Sequence, residues 1–218
     1  MARLADLMHR TLFKAVSLLG SKGQGAVLRR YFDWWHRRPD PWHLSTDSYE
    51  RRKYLTTLGQ VPAGSYGRIL EVGCSEGVFT ELLATTYPEA EVTGVDISET
   101  ALERARERAG GLGERVRFVH ADLLEHDLGE RYDLVFCAET LYYVGRGDRL
   151  RHASDRLGAL LAPGGLLVLV HPWPESQRLH GHADAALSKV GERVDHEAWR
   201  PYAVSLYQGS TRVALDAT

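Results

Sequence analysis

The chain has 218 residues, 44% of them hydrophobic and 26% charged, with a formal net charge of −2. Those are the proportions of an ordinary soluble globule of one domain plus an extension. The near-neutral balance gives no reason to expect a nucleic-acid surface. No apolar run reaches the roughly 18 residues of a membrane span, and two cysteines without a secretion signal read as reduced thiols in a cytoplasmic protein.

Near the start, Leu4, Leu7, Met8, Leu12, Phe13, Val16 and Leu19 recur at helical spacing, with Arg3, His9, Arg10 and Lys14 on the other side. The apolar run is interrupted throughout, unlike that of a signal peptide, and reads as a lid or dimer helix. Gly20-Ser-Lys-Gly-Gln-Gly25 reads as a flexible break. The segment from Val27 to Tyr54 then concentrates three of the five tryptophans outside the expected sheet, and a helix follows from Tyr49 to Leu55. Trp34 and Trp35 read as packing for the extension. For Tyr31, Trp42 and Arg51 a second reading competes with packing: an aromatic cap excludes water from a cofactor, and an arginine pairs with its carboxylate. Residues 1–55 thus divide as a helical extension or lid from a main domain over 56–218.

Arg68-Ile-Leu-Glu-Val72 predicts a short buried strand. Gly73 and Gly77 bracket a tight turn, and Val78 opens a helix with apolar Val78, Phe79, Leu82 and Leu83. A strand that turns on glycines into a helix brings its backbone close to a ligand. The turn lacks the Gly-Lys-Ser/Thr end of a phosphate loop and the middle glycine of Gly-x-Gly-x-x-Gly. Glu71 just before it would repel a pyrophosphate and suits a ligand with a cationic or polar end. A second strand, Ala90 to Asp96, ends on an acid 23 positions after Gly73. That is close to the spacing of about 20 at which such an acid bonds the ribose hydroxyls of a nucleoside-containing ligand. Ser98 is a helix N-cap, Arg104, Arg106 and Arg108 with Glu103 and Glu107 form a solvated face, and Gly110 to Gly113 ends that helix. A third strand covers Arg117 to Asp122 and a fourth Tyr132 to Glu139. A helix runs from Asp148 to Leu161, Pro163-Gly-Gly165 is a turn, and a fifth strand runs from Gly165 to His171. Val190 to Ala198 and Tyr202 to Tyr207, around Arg200-Pro201, read as the last two strands, a pair that fits an antiparallel hairpin. The fold expected is α/β, a Rossmann-like doubly wound mixed sheet of seven strands with an N-terminal helical extension.

The run Glu71-Val-Gly-Cys-Ser-Glu-Gly77, with Asp96 and Asp122 following in order, resembles the class I S-adenosylmethionine-dependent methyltransferases. A narrower resemblance lies in Tyr31-Phe-Asp, Asp40-Pro-Trp42, Tyr49-Glu-Arg51, Ala138-Glu-Thr-Leu-Tyr-Tyr143 and Leu161-Ala-Pro-Gly-Gly165. Together these look like the nodulation protein S family, over roughly residues 30 to 185. That family N-methylates the free amine of a deacetylated chitooligosaccharide and includes related small-molecule methyltransferases. The resemblance implies S-adenosylmethionine as cofactor, contacted by Glu71, Gly73, Cys74, Gly77, Asp96, Ile97, Asp122, Leu123 and Glu139, with Trp42 and Arg51 from the lid. It implies a small hydrophilic acceptor, a sugar or natural-product intermediate, and leaves nitrogen against oxygen and monomer against homodimer open.

The chemistry belongs to the strand ends. Glu139 ends strand four beside the methyl-transfer zone, where it orients an acceptor or bonds the cofactor's amino group. Of Tyr142 and Tyr143, one packs in the core and one lines the acceptor mouth. His171, ending strand five, is the candidate general base, with a structural histidine as the alternative. His180-Gly-His182 has chelating spacing, but no carboxylate and cysteine cluster joins it, and no metal is assigned. Two other classes remain: a noncatalytic cofactor-binding protein, which turnover would exclude, and a nucleic-acid methyltransferase. The latter usually carries Asn/Asp-Pro-Pro-Tyr/Phe after strand four, where Ala138-Glu-Thr-Leu141 stands.

Overall fold

A computed structural model of the protein describes residues 21–209, so the amphipathic run over 3–19 lies outside the described residues. Helices α1 (Ser21–Trp35) and α2 (Ser48–Leu58) precede the sheet. The expected break up to Gly25 is instead, from Ser21 on, the first turns of α1. Gly25 is needed there for contact. A Cβ would stand 2.4 Å from Asp122 Oδ2, so glycine lets the helix backbone touch the end of the sheet. α2 begins at an Asp47 cap, whose carboxylate accepts the Tyr49 N–H at 2.8 Å.

Seven strands follow: β1 (Arg68–Val72), β2 (Glu91–Asp96), β3 (Val116–His120), β4 (Tyr132–Ala138), β5 (Leu161–Pro172), β6 (Ser188–Asp195) and β7 (Tyr202–Gln208). They lie in the order β3-β2-β1-β4-β5-β7-β6. The first five are parallel, and β6 and β7 form the antiparallel closing hairpin. The sheet reverses its winding between β1 and β4, where Val72 stands opposite Cys137. Open α/β sheets bind ligands at that point, beyond the carboxyl ends of the strands.

Both faces are buried, which is why the central strands read as near-continuous apolar runs. Leu70, Val72, Val135, Cys137, Leu167 and Leu169 face one core, shared with α5 (Leu141–Val144), α6 (Asp148–Ala159) and α7 (Glu175–Ala186). Ile69, Leu134, Phe136, Val168 and Val170 alternate into the other, under α2 and α3 (Val78–Thr86). α4 (Glu99–Arg108) covers β2 and β3 and starts at Ser98, whose hydroxyl accepts the Ala101 N–H at 3.2 Å. The turn expected at Pro163–Gly165 is a bulge inside β5. Its register to β4 jumps from Tyr132 opposite Leu161 to Leu134 opposite Leu166, with Gly164 at φ 76°.

Candidate active site

β1 turns into α3 through Gly73-Cys-Ser-Glu-Gly77. Gly73 and Gly77 have φ of 78° and 75°, a region that glycine enters without cost. A Cβ on Gly73 would stand 2.2 Å from Thr140 Oγ1, so this turn and the end of β4 are in contact. The turn is stitched to the end of β2. The Gly73 and Cys74 N–H groups donate to the Val95 carbonyl at 2.7 and 3.0 Å, and the Ser75 N–H donates to Asp96 Oδ2 at 2.8 Å. Asp96 Oδ1 accepts the Ser98 N–H at 2.9 Å. Each Asp96 oxygen therefore keeps acceptor capacity for a hydroxyl.

Ile97 is half-buried, and its carbonyl takes His120 Nε2 at 3.0 Å. Asp122 Oδ1 accepts the Leu124 N–H at 2.9 Å, while Leu123 packs on the core. Cys74 and Cys137 are free and buried, and burial holds both thiols above their usual range. Glu71 is 5% exposed, and burial pushes its carboxyl up to about 8 although it accepts the Thr80 hydroxyl at 2.5 Å.

Glu139 sits just past β4 with φ 53°, an uncommon conformation for a residue with a side chain. Its Oε1 meets Lys53 Nζ at 2.9 Å. Lys53 is 3% exposed, is also paired with Glu50 at 2.9 Å, and lies 5.1 Å from the Tyr49 ring centre. The sequence reading misses Lys53 and Glu50. Arg51, the cation it selects, is exposed on the opposite side of α2. Glu50, Lys53 and Thr57 recur at i, i+3 and i+7, a buried helix face that was available as a signal.

The N-terminal segment lies on the same edge. Asp33 Oδ1 accepts the Ser98 hydroxyl at 2.7 Å, and Gln24 Nε2 donates to the carbonyls of Tyr143 and Val144 at 3.1 and 2.9 Å. Trp42 packs edge-on against His36 at 4.9 Å and at a tilt against Phe32 and Trp35 at 6.0 and 6.2 Å. Trp34 is 57% exposed and packs only edge-on against Trp35. Glu76, a further residue the sequence reading passes over, is the hub. Its carboxylate accepts the Asp40 N–H at 3.0 Å, faces His36 Nδ1 at 3.1 Å, and pairs with Arg104 at 2.9 Å. Arg104 also donates to the His36 carbonyl, and Arg108 Nε to the Glu76 carbonyl at 3.0 Å. So the arginine row on α4 is not a solvated face. Two of its three members tie the N-terminal segment to the turn, and Arg106, paired with Glu99, faces outward.

His171 is fully buried and both nitrogens are occupied. Nε2 accepts the Leu141 N–H at 3.1 Å, and Nδ1 faces His180 Nε2 at 3.0 Å. Burial holds its pKa well below the usual imidazole range. The general-base expectation is corrected on that ground: no nitrogen is free to take a proton from an acceptor. His180 Nδ1 is engaged by Ser205 Oγ at 3.0 Å, so the spacing to His182 does not form a chelate. Among the described residues no three His, Cys, Asp or Glu side chains converge as a metal site requires. The Tyr142 and Tyr143 rings pack against each other at a tilt, 4.3 Å apart and both half-buried, with Tyr142 towards His171 and Tyr143 against Phe32 of α1.

Residues 23–195 match the family model described as Nodulation protein S (NodS). Nodulation protein S of Bradyrhizobium diazoefficiens is 35% identical over 148 residues, covering 67% of this chain and 69% of that protein. Trans-aconitate 2-methyltransferase of Paracidovorax citrulli is 38% identical over 117 residues, covering 53% of this chain and 42% of that protein. Among solved structures, N-methyltransferase NodS from Bradyrhizobium japonicum WM9, in complex with S-adenosyl-L-homocysteine, superposes with a TM-score of 0.74 at 26% identity. That match covers 83% of this chain and 97% of the other.

Proposed function

This chain belongs to the nodulation protein S family, and on that premise we propose that it methylates a nitrogen of a small hydrophilic acceptor. It is an S-adenosylmethionine-dependent methyltransferase of the small-molecule kind. The residues at the strand ends fit that cofactor. Asp96 has acceptor capacity left for ribose hydroxyls, and Glu139 and Asp122 place carboxylates towards a cationic ligand, while Glu71, which burial keeps protonated in the neutral range, lies behind the turn without charge. Gly73, Gly77 and Cys74 allow close backbone approach, Ile97 and Leu123 offer apolar contact, and residues 21–55 act as the lid. Bound there, S-adenosylmethionine supplies a methyl group already activated on sulfur. The chain's own task is to orient the acceptor and keep water out, which is worth several kcal/mol or more.

The observation that carries nitrogen over oxygen is the Glu50–Lys53–Glu139 group. Two carboxylates hold a buried ammonium at the end of β4, beside the glycine turn and two tyrosines. Carboxylates and ring faces that stabilise one ammonium suit a second, from an acceptor amine that takes the place of Lys53 at Glu139. A hydroxyl acceptor needs a base. His171 has no free nitrogen, and burial raises the pKa of Tyr142 and Tyr143 so that both stay phenols. An amine needs only to lose its proton to Glu139 or to water; its lone pair then forms the N–C bond as the S–C bond to the methyl breaks and that electron pair returns to sulfur, leaving a neutral thioether. The charge balance of −2 supports a small-molecule partner over a nucleic acid, and free buried thiols support a reducing, cytoplasmic setting.

The test is transfer of labelled methyl from S-adenosylmethionine to amino sugars and simple polar amines, beside their N-acetylated and hydroxyl counterparts and di- and tricarboxylates. Label on nitrogen is expected, with none on the N-acetylated partner. Label on a hydroxyl or carboxylate alone overturns the nitrogen assignment.

A further inference from the structure

Two histidines lie in the interior with no part in the chemistry above. His171 is fully buried and His180 is 2% exposed. Their bonds run in one direction. α5 starts at Leu141, and Thr140 before it makes no side-chain cap, so the Leu141 N–H is one of the donors a helix start leaves without a partner. His171 Nε2 accepts it from across the sheet at 3.1 Å. A nitrogen that accepts an N–H carries no proton, so His171 has its proton on Nδ1 and donates to His180 Nε2 at 3.0 Å. The same logic puts the His180 proton on Nδ1, donated to Ser205 Oγ at 3.0 Å. Ser205 donates in turn to Glu192 Oε1 at 3.0 Å. One backbone amide at the active edge therefore sets the tautomers of both rings and the direction of the serine hydroxyl.

We propose that His171, His180 and Ser205 are positioning residues: their one-way chain of hydrogen bonds, anchored at Glu192, fixes α5 and with it Tyr142 and Tyr143 at the acceptor mouth. The proposal rests on the reading that these tyrosines border the acceptor. Two further contacts show α5 to be a held element. Gln24 of α1 takes the Tyr143 and Val144 carbonyls, and Arg178 of α7 donates to the Gly145 carbonyl at 3.4 Å. His171 supplies the hold at the other end, where no local residue does. The far end opens on a cavity of about 250 Å³ lined by His180, Asp184, Lys189 and Glu192. A proton entering there would need His180 to charge first. The charged and titratable groups facing the pair are Lys53 on α2, Tyr142 on α5, Arg178 and Asp184 on α7, and Lys189 and Glu192 on β6. Burial lowers the His180 pKa to about 4, so the chain stays intact through the neutral range.

Nitrogen-15 NMR of the histidine rings tests this without any acceptor, so its failure is separate from failure of the N-methylation reading. Both rings should be neutral with the proton on Nδ1 at pH 7, and still neutral at pH 6. Ser205→Ala, which does not touch α5, should speed Leu141 amide exchange by about 3- to 10-fold, the worth of one net hydrogen bond. It should also shift the Tyr142 and Tyr143 ring resonances, and Ser205→Thr, which keeps the hydroxyl, should restore all three signals. A proton on Nε2 of His171, or unchanged Leu141 exchange and tyrosine resonances in Ser205→Ala, overturns the proposal.

Discussion

Replacing Glu71 with glutamine should stabilise the protein, and by an amount that grows with pH. The Glu71 side chain is buried, with the Thr80 hydroxyl as its hydrogen-bond partner. Desolvation by burial, reinforced by Asp96, pushes its carboxyl from 4.5 to about 8, against the Thr80 bond. Between those two pH values the unfolded chain has released the proton and the folded chain still holds it. The unfolded state then binds fewer protons, so stability falls as pH rises. The favourable contribution is complete below 4.5 and is lost as pH climbs through the folded value. At about 1.4 kcal/mol per pH unit the loss reaches roughly 3 kcal/mol at pH 7 and nearly 5 kcal/mol above pH 8. Glutamine has nearly the same shape and no proton to lose. Urea unfolding of both proteins should show a gap of about 1 kcal/mol at pH 5 and about 3 kcal/mol at pH 7, flattening beyond pH 8. A gap that is constant or shrinks with pH refutes a protonated Glu71 in the folded protein.

Asp96→Ala should weaken S-adenosylhomocysteine binding by about 1.5–3 kcal/mol in calorimetry, the cost of losing charged hydrogen bonds; unchanged affinity removes Asp96 from the site. Residues 21–47 should gain amide protection when S-adenosylhomocysteine is added, and exchange that is the same with and without it ends the lid reading. Lys53→Met should destabilise by about 2–4 kcal/mol in denaturant melts, because Glu50 and Glu139 lose the ammonium between them; a neutral or stabilising result shows that the pair contributes nothing to folding.

β4 and β5 were legible because burial on both faces leaves runs of five apolar residues, Leu134 to Ala138 and Leu166 to Val170. So was the turn: Gly73 and Gly77 need positive φ, and Asp96 ends its strand where a ribose contact belongs. What could not be read depends on long-range partners. Nothing local in Pro172 to His182 says that His180 turns to His171 and Ser205, since the third group lies on β7. Gly25 looks like a linker residue until Asp122, 97 positions later, proves to be its neighbour. Lys53 was the avoidable miss. Arg51 stands in the Tyr49-Glu-Arg51 run and suits a carboxylate, but only the helical phase of Glu50, Lys53 and Thr57 says which cation points inward.

That phase error bears on how the site works. Were Arg51 the inward cation, the lid would carry a fixed positive charge to meet an anionic group. Lys53 is different: it is already neutralised by two carboxylates and surrounded by little water. Desolvation alone would lower its pKa, yet Glu139 and Glu50 outweigh it and raise it, so Lys53 stays charged. A charged lysine in that place holds the Glu139 side chain in position while no acceptor is present. On the proposed reading, an arriving ammonium meets a side chain already in position and takes the place of Lys53 there. The edge also has to tolerate a sulfonium nearby, which a second uncompensated cation would repel. Glu76 in the turn and Asp96 at the end of β2, set against Arg104 of α4, keep that balance on the acidic side. Two positively charged reactants can approach each other only where the protein supplies such an excess of carboxylates.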